Sequence, residues 1–216
     1  MDADVTEPEA RTMLQEAFGR ALAAADPAQV LPAHLPAPPK GRLVVVGAGK
    51  AAARMAGVAE AFYRETYPET RLEGLVVTRY GHGVPTAKIR VREAAHPVPD
   101  AAGVAATGEV LDLARSLAED DLLLCLVSGG GSALLCAPEG VTLPEKAALT
   151  QALLRSGADI GEMNAVRKHL SSVKGGGLAR AAFPARVVSL IISDVAGDNL
   201  STVASGPTVP DPSTFA

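Results

Sequence analysis

The 216-residue chain contains no tryptophan, only 3% aromatic residues and only two cysteines. With so few rings available, the core must be built from closely packed Ala, Val and Leu side chains. Cys125 and Cys136 lie in or near apolar segments, so buried thiols are expected rather than a disulfide. This cysteine usage is typical of a cytoplasmic protein.

Long apolar runs and a strong charge of either sign are also missing. No run of about 18 apolar residues occurs, so no transmembrane helix is predicted. The acidic amino terminus lacks the basic and apolar regions of a signal peptide. The net charge is −4, from 20 basic and 24 acidic residues. We therefore expect a cytoplasmic protein with neither a membrane nor a nucleic-acid partner.

The amino-terminal 40 residues are expected to form a helix and a proline-rich connector. Thr6 and Pro8 are typical of a helix start, and the helix is predicted to run to about residue 25. Its apolar residues are expected to be buried: Met13, Leu14, Ala17, Phe18, Ala21 and Leu22. Residues 31–40 are too rich in proline for regular structure, and His34 is expected to be exposed.

Residues 41–216 are predicted to form a single Rossmann-like α/β domain. Short apolar runs alternate with helical patterns, which indicates a mostly parallel sheet within three α/β/α layers. The length suits one domain of this kind rather than two. Strands are predicted over residues 42–46, 74–78, 89–94, 122–127 and 187–192. Helices are predicted over residues 51–63, 100–117, 144–156 and 160–174.

Glycine-rich or polar residues follow all five predicted strands. The carboxyl ends of parallel strands share one edge of the sheet, where ligands of such folds bind. The fourth strand ends in Ser128, Gly129, Gly130, Gly131 and Ser132, which we name the glycine turn (residues 128–132). Its glycines could present several N–H groups to one anion, aided by a helix starting at Ser132. The alternative is a tight turn without a ligand.

The first strand is followed by Gly47, Gly49 and Lys50. Gly47-x-Gly49 matches a loose dinucleotide fingerprint, so an NAD(P)H-dependent reductase has to be considered. The second strand ends in Arg79 instead of the acidic residue that holds a ribose, which weakens that hypothesis. Lys50 is suited to neutralising a phosphate or a developing negative charge, although no Walker motif is present.

Other polar residues allow a functional or a structural interpretation. Asp194 and Asp198 could bind magnesium or form an Asx turn. His82 and His96 follow strand ends without metal-ligand spacing, which favours structural roles. Arg167, Lys168 and Lys174 could form a basic flank for an anionic substrate, or a solvated helix face. Ser128 is a poor candidate for a nucleophile because GxSxG is absent and no base is identifiable.

Several of these stretches, taken together, resemble the amino-terminal part of the glycerate 2-kinase family whose members end in a MOFRL domain. Some members were formerly named hydroxypyruvate reductases. The resemblance covers nearly the whole chain from about residue 11. It is carried by residues 46–51, 77–82, 95–100, 128–133, 164–171, 174–176, 193–195 and 204–208.

The resemblance implies ATP-dependent, magnesium-assisted phosphorylation of D-glycerate at its 2-hydroxyl, in a cleft between two α/β domains. It implies a catalytic role for Lys50 and a metal role for Asp194 and Asp198. The expected phosphate- or substrate-binding residues are Gly47, Gly49, Arg79, His96, Ser128, Gly129, Gly130, Gly131, Ser132, Arg167 and Lys168. The alternatives are a hydroxypyruvate reductase and a non-catalytic fragment.

Family members are considerably longer than this chain. We therefore expect the chain to be one domain of a normally two-domain enzyme and to supply only one side of the cleft. Weak or absent activity is expected without the MOFRL-type domain. A homodimer could form through the surface that this domain would cover.

Overall fold

The computed structural model describes residues 6–214, and a five-stranded parallel sheet forms its centre. The strands are β1 (Leu43–Ala48), β2 (Leu72–Arg79), β3 (Ile89–Ala94), β4 (Leu122–Ser128) and β5 (Arg186–Ile192), in the order β3-β2-β1-β4-β5. All neighbouring strands run parallel. Every residue of β1 and β4 is buried, as expected for central strands covered on both faces. The predicted Rossmann-like α/β fold is confirmed.

Eight α-helices within residues 6–214 flank or extend this sheet. They are α1 (Glu7–Ala24), α2 (Pro27–Val30), α3 (Ala52–Thr66), α4 (Ala101–Arg115), α5 (Gly131–Leu134), α6 (Leu143–Ser156), α7 (Ile160–His169) and α8 (Gly177–Ala182). The predicted N-cap of α4 is confirmed, because the Asp100 carboxylate accepts a hydrogen bond from the Gly103 N–H at 2.9 Å. Two short 3₁₀ turns cover Pro32–His34 and Val203–Ser205.

The sheet separates two hydrophobic cores. Alternate residues of β1 point to opposite faces, so Val44 and Val46 pack with α4 and α8 while Leu43 and Val45 pack with α3. Cys125 belongs to the first of these cores, and Cys125 and Cys136 are both buried free thiols, as predicted. None of the helices in residues 6–214 is long and apolar enough to span a membrane.

The amino-terminal region departs from two predictions. No residue of α1 is buried by the rest of residues 6–214, and Met13, Leu14, Phe18 and Leu22 are each more than half exposed. An apolar stripe predicts that a helix has a buried face, but not which surface covers it. The connector also contains more regular structure than expected, because α2 and a 3₁₀ turn lie in or beside it. His34 is exposed, as predicted.

The segment after residue 160 is also organised differently from the prediction. The helix expected to reach the three glycines ends at His169, and a separate helix, α8, begins at Gly177. Gly175 and Gly176 have φ values of 54° and 80°, which places them in the left-handed region that ends helices. Lys168, proposed for a solvated or substrate-facing side, is buried instead.

Candidate active site

The loops that follow β1 and β4 are fastened to each other at the carboxyl edge of the sheet. The backbone N–H of Lys50 donates to the Gly129 carbonyl at 2.9 Å, and the N–H of Ala51 donates to Ser128 Oγ at 3.0 Å. Gly49 has a φ of 142°, and a β-carbon at this position would overlap Ser128 Oγ. Glycine is therefore required there by packing within the protein as well as by backbone conformation.

The glycine turn is a compact reversal. Gly130 has a φ of 85° and precedes α5, which begins at Gly131. The helix predicted at Ser132 is thus present, but it is a single turn of four residues. So short a helix supplies little of the expected dipole, and any anion seat here depends mainly on local N–H groups and neighbouring side chains.

Lys50 and His96 meet above Gly130. A β-carbon built on Gly130 would lie 2.9 Å from His96 Nε2 and 3.3 Å from Lys50 Cε. The ammonium group of exposed Lys50 makes no hydrogen bond or ion pair with the described part of the chain. Burial lowers the pKa of half-buried His96, and the positive charges of Lys50 and Arg79 lower it further. The imidazole is therefore mainly neutral at pH 7 and can both donate and accept a hydrogen bond.

Asp194, in the loop that follows β5, reaches the glycine turn from another side. A β-carbon on Gly129 would overlap Asp194 Oδ2, so this carboxylate lies directly against the turn. Asp198 is exposed four residues further on and has a φ of 50°. No group of three or more His, Cys, Asp and Glu side chains in residues 6–214 is arranged to hold a metal ion. The donors present fit a magnesium ion held mostly by substrate and water, for which one carboxylate is sufficient.

Arg167 and Lys168 are neighbours in α7 with different partners. Arg167 Nη2 lies 3.5 Å from Ser132 Oγ, so the half-buried guanidinium stands beside the glycine turn. Lys168 Nζ instead forms a buried ion pair with Asp211 Oδ1 at 3.3 Å. This pair lies in a cleft of roughly 1030 Å³ between the end of α7 and residues 208–213. The structure thus brings Arg167 to the turn and gives Lys168 a different partner.

Lys174 and Ser205 also contact the turn. Lys174 was predicted as part of a basic flank or of a solvated helix face, but it is buried and contacts the turn from the interior, and Ser205 was not among the predicted site residues. Lys174 Nζ donates to the Ser132 carbonyl at 2.5 Å and lies 3.1 Å from Ser132 Oγ. Ser205 Oγ lies 2.7 Å from the same Ser132 Oγ. Both residues belong to stretches that carry the family resemblance. The position of Lys174 directly before three glycines is the sequence feature that could have indicated its contact with the turn.

The glycines of the loose dinucleotide fingerprint make room for protein neighbours. A β-carbon on Gly47 would overlap the Leu126 carbonyl in β4, and one on Gly49 would overlap Ser128. Close packing between adjacent strands and loops thus accounts for both glycines without a pyrophosphate. Arg79, at the end of β2, is exposed. These contacts weaken the dinucleotide hypothesis further.

Comparison with known proteins identifies a family that matches this chain. A family model described as "Domain of unknown function (DUF4147)" matches residues 13–216. An Agrobacterium vitis protein named "Putative hydroxypyruvate reductase" is 54% identical over 208 residues, covering 96% of this chain and 47% of that protein. The D-glycerate 2-kinase of Thermotoga maritima is 51% identical over 175 residues, covering 80% of this chain and 41% of the relative.

A solved structure agrees with these relationships. The crystal structure of glycerate kinase from Thermotoga maritima matches with a TM-score of 0.84 and 45% sequence identity. The match covers 96% of this chain and 50% of that one. The chain therefore spans about half the length of the curated relatives that it matches.

Proposed function

Since this chain belongs to the DUF4147 family, we propose that it forms one side of the active site of an ATP-dependent D-glycerate 2-kinase. The observation that carries this proposal is the convergence of Lys50, His96 and Asp194 on the glycine turn. A cation, a neutral imidazole, a carboxylate and several backbone N–H groups are the components with which phosphoryl transfer is usually assisted. The relatives named glycerate kinase support the choice of substrate.

Each group has a role in this mechanism. The 2-hydroxyl oxygen of D-glycerate attacks the γ-phosphorus of ATP, and the bond between that phosphorus and the β–γ bridging oxygen breaks, so that ADP leaves. The hydroxyl proton passes to water. Lys50 neutralises the charge that develops on the transferring group, and the N–H groups of the glycine turn hold an anionic oxygen. Neutral His96 is placed to orient the substrate hydroxyl or a phosphate oxygen. Arg167 attracts the carboxylate or a phosphate through its charge.

Magnesium would be held by Asp194, with Asp198 contacting it directly or through water. When bound there, magnesium would supply positive charge that offsets the charge of the phosphates. The arrangement of Asp194 against Gly129 would place this carboxylate beside the phosphates.

The proposal is tested by supplying the other half of the enzyme. We would assay this chain alone and joined to the carboxyl-terminal half of the Thermotoga maritima D-glycerate 2-kinase. D-glycerate, ATP and magnesium would be present, and the product would be detected with enolase, which consumes 2-phosphoglycerate directly. The intact Thermotoga enzyme is the positive control. The joined protein is expected to form 2-phosphoglycerate, and the chain alone little or none.

The hydroxypyruvate reductase hypothesis is the second candidate. It is favoured by the Rossmann strand order and by the name of the 54% identical relative. It predicts that the joined protein oxidises NADPH or NADH in the presence of hydroxypyruvate and consumes no ATP with glycerate. That combination of results would overturn the kinase proposal.

A further inference from the structure

Lys174 is a buried lysine whose ammonium group forms its hydrogen bonds with one short segment, residues 132–135. It follows α7, is 3% exposed and projects into the protein beneath the glycine turn. Its Nζ lies 2.5 Å from the Ser132 carbonyl, 3.1 Å from Ser132 Oγ and 3.2 Å from the Leu135 carbonyl. An ammonium group has three hydrogens, and these three acceptors use all of them.

The charge of Lys174 has no carboxylate partner within the described ranges. The charged and titratable groups that act on it are Arg167 of α7, Lys146 of α6 and the thiol of Cys136. Burial and the two neighbouring cations lower the pKa of Lys174 to about 7. A hydrocarbon side chain at this position would avoid the cost of removing an ammonium group from water. The presence of a lysine therefore calls for a role other than stabilising the fold.

The ammonium group determines which way the Ser132 hydroxyl can donate. A protonated lysine has no lone pair, so Ser132 Oγ must accept from it. Ser205 is 1% exposed, and its hydroxyl, 2.7 Å away, can donate to the second lone pair of the same oxygen. The guanidinium of Arg167 is a third and more distant donor, at 3.5 Å from the same oxygen. With the two nearer donors on the lone pairs, the hydrogen of Ser132 can donate on the partly exposed side of the turn.

We propose that Lys174 is a positioning residue that clamps residues 132–135 from the interior and directs the Ser132 hydroxyl to donate to a bound oxyanion. That the natural oxyanion is a phosphate or carboxylate of the kinase reaction rests on the proposed function; the clamp does not. Loss of the proton from Lys174 would let its amine accept from Ser132, which would turn this hydroxyl away from the anion.

The clamp can be tested on this chain with a matched pair of variants. Lys174→Met removes the clamp, whereas Lys146→Met removes a second buried lysine whose ammonium contacts only the Leu170 carbonyl. Amide hydrogen exchange of residues 133–136 would be measured. These amides donate to Gly130, Gly131 and Thr107. We expect exchange at least about 10-fold faster in Lys174→Met and a change below about 2-fold in Lys146→Met.

Sulfate is the probe for the hydroxyl, because its charge does not change between pH 6 and 8.5. Its dissociation constant would be measured from amide shifts of residues 129–132. We expect the dissociation constant to rise about 10-fold over this range in the unmodified chain and to stay nearly constant in Lys174→Met. In Lys146→Met the rise should move to higher pH, because loss of this neighbouring cation raises the pKa of Lys174.

The outcomes separate the proposal from the kinase function. Equal exchange in the two lysine variants would overturn the clamp. Absence of sulfate binding to the unmodified chain, or an unchanged pH dependence in Lys174→Met, would overturn the role of the hydroxyl. If Lys174→Met does not fold, Ser132→Ala is expected to abolish the pH dependence with little change in exchange. Failure to phosphorylate glycerate, with the clamp results as expected, would count against the proposed function alone.

Discussion

Two lysines contact the glycine turn, one exposed to solvent and the other buried, and their surroundings differ in nearly every respect. Lys50 is exposed, and its ammonium has no partner within residues 6–214, whereas Lys174 is buried and uses all three hydrogens on neighbouring oxygens. The first is available to a substrate, and the second is committed to the protein. Under the two proposals above, one cation acts on the ligand and the other maintains the shape of the loop.

The largest difference between the two lysines is expected in turnover. In the joined enzyme, Lys50→Met should lower kcat by about 10²–10³-fold, because it removes a charge that stabilises the transferring group. Its effect on the free energy of unfolding should stay within about 0.5 kcal/mol, since the side chain is exposed. Steady-state kinetics and urea denaturation measure the two quantities. An unchanged kcat would contradict the role assigned to Lys50.

The second difference concerns the pH dependence of stability. The pKa of Lys174 is about 7 in the folded chain, below the 10.5 of an ordinary lysine. Between these values the unfolded chain binds more protons, so the free energy of unfolding should rise with pH. The contribution of Lys174 is at most about 1.4 kcal/mol per pH unit. Below pH 7 both states are protonated, and this contribution to the slope disappears.

Urea denaturation from pH 6 to 9.5 measures this slope. Lys174→Met should remove the contribution of Lys174 to this slope. A Lys174→Met curve parallel to that of the unmodified chain would contradict a lowered pKa at this site. The comparison uses differences between variants, so other groups that titrate in this range cancel.

Much of the fold could be predicted from the sequence because its signals are local. The bounds of β3 were predicted to the residue, and Asp100 was identified as a cap, since apolar runs and capping residues act on their immediate neighbours. The exposure of α1 could not be predicted, because an apolar stripe carries no information about its partner.

The meeting of strand-end residues at the glycine turn could be predicted from the sequence, but the buried contacts of Ser132 could not. Strand ends indicated Lys50, His96 and the glycine turn, because parallel strands place their carboxyl ends on one edge. The contacts of Ser132 with Lys174 and Ser205 join residues 42 and 73 positions apart, and no local pattern specifies them. The sequence likewise could not show that Arg167 and Lys168 have different partners, because the partner of Lys168 lies 43 residues further along the chain.

The third prediction follows from the different partners of Arg167 and Lys168. Arg167→Gln should raise the KM for D-glycerate about 10-fold, since it removes a charged hydrogen-bond donor beside the turn. Its effect on stability should be small, because its hydrogen bonds within the protein are long, at 3.5 Å. Steady-state kinetics of the joined enzyme measure the KM.

Lys168→Gln is the matched control. It should destabilise the fold by about 1–3 kcal/mol, because Asp211 would lose its buried cation, and it should leave the KM nearly unchanged. The reverse pattern, with Lys168 controlling the KM, would restore the original assignment of this residue to substrate binding and would count against Arg167.

The smallest expected effect distinguishes two adjacent glycines of the turn. In Gly129→Ala the atoms nearest to the new methyl group would belong to the side chain of exposed Asp194, which can move aside, so the cost in stability should be below about 1 kcal/mol. Displacing Asp194 should raise the magnesium concentration needed for half-maximal activity by a few-fold.

Gly130→Ala combines a φ of 85° with a methyl group 2.9 Å from His96 Nε2. It should lower the free energy of unfolding by about 1–2 kcal/mol and lower kcat. Magnesium titrations and urea denaturation of both variants measure these effects. Because Lys50 lies above Gly130 and Asp194 lies against Gly129, a magnesium effect confined to Gly130→Ala would show that the metal binds on the lysine side of the turn.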